Sequence, residues 1–166
     1  MIQVYTGNGK GKTTAAIGLA LRAAGAGLNV YIAQFAKGTY CSEHRALKKI
    51  KNIKVEQFGR AYFIRKPQPS DTDLTLRGLK RVREVFASKK YQVIILDEIN
   101  VILKLKIVSS KDVLDLISHL PKNTELVLTG RDASARIIKI ADLVSRIEEV
   151  KHYYNKGIKA RQGIEF

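Results

Sequence analysis

Three features of this 166-residue sequence predict an α/β fold: a mainly parallel sheet with helices on both faces. Short apolar runs alternate with segments of helical periodicity, the pattern of strands linked by crossover helices. The run at Gln92-Val93-Ile94-Ile95-Leu96 is apolar without interruption after its first residue, as a strand covered on both faces must be. The chain also opens with a strand, a Gly-rich turn and a helix start in immediate succession.

Ile2 and Val4 mark the first strand. A helix is expected from Lys12 to Ala26, with Ala16, Leu19, Ala20 and Ala23 at helical spacing and Gly25 and Gly27 as its stop. Asn29 to Phe35 reads as the second strand, Ser42 to Ile50 as a short helix and Ile53 to Phe58 as the third strand. Gly59 to Ser70 carries two prolines and reads as irregular. Asp71 or Thr72 is expected to cap a helix to Ser88, with Leu76, Leu79, Val82 and Phe86 inward. After the strand ending in Asp97-Glu98 come a helix from Lys111 to His119 and a strand from Glu125 to Thr129. A short helix over Ala133 to Ile140 and a strand over Leu143 to Val150 follow, and the tail from Lys156 is expected to add an edge strand. With no repeat and no linker, residues 1–166 are expected to form one domain.

The opening turn is Thr6-Gly7-Asn8-Gly9-Lys10-Gly11-Lys12-Thr13-Thr14. Successive backbone N–H groups of Gly7, Asn8, Gly9, Lys10 and Gly11 can line one anion-binding concavity, and the helix start adds its own free N–H groups. Lys12 is placed to reach the outer phosphates, and the Thr13 hydroxyl to hold magnesium. Thr6 stands where the Walker pattern has its first glycine, and Gly7 and Gly9 are extra. The strand-end acids Asp97 and Glu98 complete a P-loop NTPase of RecA-like architecture. Asp97 is a candidate magnesium ligand; Glu98 either polarises an attacking water or binds the metal or a ribose. Gln34–Lys37 and Gly130-Arg131 also fall at carboxyl ends of strands, where ligands bind in such sheets. Arg22, inside the first helix, reaches the site only if a nucleotide bends over that helix. His44, His119 and His152 are scattered without metal spacing and read as surface or structural.

Lone Cys41 excludes an internal disulfide, and together with the lack of a secretory leader it points to the cytoplasm. No apolar run approaches the roughly 20 residues that span a bilayer. A net charge of +15 favours anionic partners, and equally fits a solvated basic surface. A nucleic-acid partner finds no stacking platform, since basic stretches are not interleaved with aromatics and Trp is absent.

Beyond the phosphate loop, Gln34-Phe35-x-Lys37-Gly38, Leu96-Asp97-Glu98, Leu128-Thr129-Gly130-Arg131, Ala141-Asp142-Leu143-Val144-Ser145, Val150-Lys151-His152 and the closing Gly157-Ile158-Lys159-Ala160-Arg161-Gln162-Gly163-Ile164-Glu165 stand in a characteristic order. In these the chain resembles the P-loop ATP:corrinoid adenosyltransferases over nearly its whole length. The resemblance implies transfer of the 5′-deoxyadenosyl group of ATP to the Co(I) of a corrinoid, with release of triphosphate and with magnesium as cofactor. It implies nucleotide contacts from the loop and Arg22, a ribose or metal contact from Glu98, and a reductase that delivers Co(I). Family members are often homodimers. The corrinoid-facing segment of the family, which carries a Trp, resembles Ala61-Tyr62-Phe63-Ile64, so Tyr62 and Phe63 are the candidate corrinoid contacts. Tyr40 stands where the family has another Trp, and Arg146 where it has an acid. A nucleic-acid-dependent RecA-like ATPase would use the same loop with Glu98 as catalytic acid, but no nucleic-acid-binding module is legible. A small-molecule kinase would need a lid or acceptor signature that the chain does not display.

Overall fold

The computed structural model describes residues 1–60, 64 and 66–166. Six parallel strands form one sheet in the order β3-β2-β4-β5-β1-β6. They are β1 (Ile2–Thr6), β2 (Val30–Phe35), β3 (Ile53–Phe58), β4 (Val93–Asp97), β5 (Glu125–Thr129) and β6 (Leu143–Arg146). The helices are α1 (Lys12–Gly25), α2 (Ser42–Leu47), α3 (Pro69–Ser88), α4 (Ile99–Lys104), α5 (Ser110–Ser118) and α6 (Ala135–Ile140). The parallel sheet with covering helices is the P-loop α/β architecture that the alternating pattern predicts.

Successive strand residues face opposite sides, and the core divides accordingly. Tyr31, Ala33 and Phe35 of β2, with Ile94 and Leu96 of β4, pack toward α3, α4 and α5. Val30, Ile32, Val93, Ile95 and Val127 pack on the other face against Ala16, Ala20 and Ala23 of α1 and Leu47 of α2. Small alanines let α1 lie close to the sheet, which brings the loop before it over the strand ends.

Several boundaries differ from the sequence expectation. α3 begins at Pro69, and Gln68 occupies its N-cap position. Asp71 is the third helical residue, and its carboxylate accepts from Gln68 N at 2.9 Å and from Arg60. Leu76 is 48% exposed, whereas Thr75, Gly78 and Val85 join Leu79, Val82 and Phe86 on the buried face. α4 is a short helix that a periodicity reading could not separate from the strand before it. β6 stops at Arg146, and the tail forms a 3-10 turn (Tyr153–Lys156) and further turns in place of an edge strand. All four residues of β6 are exposed, consistent with its place at the sheet edge.

Candidate active site

The carboxyl ends of β1, β2, β4 and β5 meet beneath the Gly7–Thr13 loop. Gly11, at φ 118°, takes the left-handed N-cap position that turns the chain into α1. The extra glycines have a steric cause. Residues 147 and 148 cross the loop so closely that a Cβ on Gly7 would overlap the Ile147 carbonyl, and one on Gly9 would lie 2.7 Å from Glu148 C and O. Gly9 N donates to Ile147 O at 2.8 Å, and Ile147 N to Thr6 O at 2.8 Å. Thr6, in the place of the first Walker glycine, is buried, and its hydroxyl oxygen accepts from Ala133 N at 3.1 Å.

Lys12 is buried and donates to Gly9 O at 2.7 Å, so its ammonium already lies along the loop. Burial pulls its pKa down, the Glu98 carboxylate opposes that, and Arg131 reinforces it. Thr13 Oγ1 donates to Asp97 Oδ1 at 2.9 Å, joining the helix start to the end of β4. Thr129 Oγ1 donates to the same oxygen at 2.7 Å, and Gln34 Nε2 to Asp97 Oδ2 at 3.2 Å. Burial pushes the Asp97 carboxyl above its ordinary range, against the Thr129 and Thr13 hydrogen bonds and the Lys37 charge.

Glu98 adopts a left-handed backbone (φ 61°), a strained conformation for a residue with a side chain. Its N–H donates to Thr129 Oγ1 at 3.0 Å, and its Oε2 lies 3.2 Å from where a Gly130 Cβ would sit. Burial, reinforced by Asp97, pushes its carboxyl up to about 7. The neighbouring cations Lys12, Arg131 and Lys37 work against that rise.

Paired hydroxyl and carboxylate oxygens at Thr13 and Asp97 fit a magnesium ion, which takes few protein oxygens and keeps much of its water. Asn8 lines a polar cavity of about 770 Å³ with Thr6, Gly7, Asp132, Arg146 and Glu148. Lys10 turns outward to the tail, donating to Ile164 O at 2.7 Å, and Ser42 Oγ donates to Phe166 O at 3.0 Å. The closing motif of the chain therefore lies beside its opening loop. Thr14 is exposed in the first turn of α1. Arg22 is exposed in the last turn, about 15 Å along the axis from Lys12 at the usual helical rise. Tyr62 and Phe63 lie outside the described residues.

Sequence reasoning set Gln34 at a ligand-binding strand end and Thr129 in a family motif, but gave neither a part behind Asp97. Gln34 and Thr129 are polar residues near the ends of apolar strands, which is the signal that could have found that part. Of the surface and structural readings of His44, the second holds: it is 6% exposed, between Cys41 and Gln34. Ligand atoms of Cys41, Glu43 and His44, neighbours along the chain, lie within 4.8 Å of one another. The Lys37 ammonium already occupies this cluster, 2.9 Å from Glu43 Oε1. Burial works against the Lys37 charge, but its hydrogen bonds to Glu43 and Cys41 outweigh that and raise its pKa.

A phosphate loop whose helix-start hydroxyl meets a strand-end carboxylate on a parallel sheet defines a P-loop nucleotide-binding protein. The fold is similar to that of a KaiC-like protein from Pyrococcus horikoshii OT3, with a TM-score of 0.60 at 19% identity over 91% of this chain and 74% of that one. Residues 1–166 match the family ATP:corrinoid adenosyltransferase BtuR/CobO/CobP, and the chain belongs to that family. It is 31% identical to corrinoid adenosyltransferase CobA of Salmonella typhimurium, over all of this chain and 85% of that protein. It is 33% identical to a corrinoid adenosyltransferase of a Sinorhizobium species, over all of this chain and 80% of that protein.

Proposed function

We propose that this chain, acting as one P-loop domain, transfers the 5′-deoxyadenosyl group of ATP to the Co(I) of a corrinoid and releases triphosphate. The observation that carries the reading is the 2.9 Å contact between Thr13 and Asp97, which joins a polyphosphate cradle to a cation seat in a chain of this family.

The cobalt lone pair attacks C5′, the C5′–O5′ bond breaks, and triphosphate leaves with that electron pair. The nucleophile carries no proton, so the reaction needs no general base. The protein's work is to align C5′ with cobalt and to stabilise the charge on the leaving group. Gly7, Asn8, Gly9, Lys10 and Gly11 offer backbone N–H groups to the triphosphate, and the Lys12 ammonium leaves Gly9 O for a phosphate oxygen. Thr13 and Asp97 would hold magnesium, which would neutralise part of the triphosphate charge. Glu98, with its Oε2 beside Gly130, would contact the ribose or the metal. Arg22 would take part only with a nucleotide extended over α1, and Tyr62 and Phe63 are the proposed corrinoid contacts. A reductase supplies Co(I), and a cytoplasmic enzyme working as a homodimer is consistent with the family. No helix among the described residues is long and apolar enough to cross a membrane.

Product analysis tests this. The protein is incubated anaerobically with magnesium, ATP and chemically reduced cobalamin. Adenosylcobalamin and triphosphate are expected. ADP and phosphate without a cobalt–carbon bond would overturn the reading in favour of an ATPase.

A further inference from the structure

Behind Asp97 runs a buried chain of hydrogen bonds whose donor directions are fixed from its far end. Cys41 N–H donates to His44 Nδ1 at 2.8 Å. A backbone amide can only donate, so Nδ1 is the bare nitrogen and its 3.2 Å approach to Cys41 O is not a donated bond. The ring hydrogen therefore sits on Nε2, which donates to Gln34 Oε1 at 2.6 Å. With its oxygen engaged there, Gln34 turns Nε2–H toward Asp97 Oδ2 at 3.2 Å. Gln34, His44 and Asp97 are all buried, so a reversed amide would set its carbonyl against the carboxylate without water to relieve it.

The same cluster is not built as a separate metal centre. Lys37 holds Glu43, and both nitrogens of the His44 ring are already engaged. We infer that His44 is a positioning residue: through Gln34 it orients the Asp97 carboxylate for magnesium. This rests on the reading of Asp97 as a magnesium-holding group.

Two substitutions separate this role from a purely structural one, because His44 also closes the capping box of α2 with Cys41. In His44→Asn a short amide oxygen still accepts from Cys41 N–H but cannot reach Gln34. In His44→Gln a longer amide still donates to Gln34. The readout is the magnesium concentration needed for half of the ATP-induced thermal stabilisation, measured without corrinoid. His44→Asn is expected to raise it about ten-fold, and His44→Gln to leave it within about two-fold of the unmodified chain. The ¹⁵N spectrum of the unmodified protein should show His44 protonated at Nε2 alone. Unchanged magnesium dependence in His44→Asn, the opposite ranking of the two variants, or an Nδ1–H tautomer would overturn the inference. Since no corrinoid is involved, these dependences can hold even where adenosyl transfer fails, so the two readings fail separately.

Discussion

Lys10 Nζ donates to the carbonyl oxygen of Ile164 at 2.7 Å, tying the phosphate loop to the last turn of the chain. Glu165 lies 3.8 Å from the same ammonium and accepts from Arg161 N and the Tyr153 hydroxyl. Deleting residues 161–166 should therefore loosen the loop. A several-fold rise in KM for ATP, with new proteolytic sensitivity near Lys10, is expected. An unchanged KM would show that the tail merely rests on the loop.

Lys12→Ala should lower adenosyl transfer by about a hundred-fold or more, as loss of a group stabilising developing charge does. Its circular dichroism should match that of the unmodified chain. Near-normal turnover would sink the phosphate-cradle assignment.

The pH dependence of stability should carry the signature of Glu98. Its carboxyl titrates near 7 in the folded chain and near 4.5 unfolded, so between these values the folded state binds the extra proton. Stability therefore falls as pH rises through that window, by roughly 3 kcal/mol in all. Asp97 acts in the same direction. Glu98→Gln should flatten the slope measured by urea unfolding from pH 4.5 to 7; an identical slope in both proteins would contradict this origin.

Two glycines should respond oppositely to alanine. At Gly9 a Cβ meets the Glu148 backbone at 2.7 Å, and the overlap should cost about 1–3 kcal/mol. At Gly18, inside α1, a Cβ meets nothing within 4 Å, and alanine should stabilise by about 0.5–1 kcal/mol. Denaturant midpoints of the two variants decide it, and equal shifts would refute the crossing-chain account of Gly9.

Alanine at both Tyr62 and Phe63 should weaken corrinoid binding by more than it weakens ATP binding. Equilibrium titrations with each ligand provide the comparison, and an unchanged corrinoid affinity would place that pocket elsewhere.

The sequence by itself determined the alternation of strands and helices, the phosphate loop with Lys12 and Thr13, and the acids at the end of β4. These are local signals: apolar periodicity, glycine in a turn and charge at a strand end are set within a few residues of chain. Leu76 shows the limit, because its helical spacing fits a buried face but its place on α3 is left 48% exposed. Only the tertiary structure decided that Asp97 collects Thr13, Thr129 and Gln34, that His44 stands buried behind Gln34, and that residues 147 and 148 cross the loop where Gly7 and Gly9 lack side chains. The physical reason is sheet order. The arrangement β3-β2-β4-β5-β1-β6 sets β4 between strands from opposite halves of the chain, so residues 32 to 84 positions from Asp97 share its carboxylate, and short-range periodicity carries no information about such neighbours.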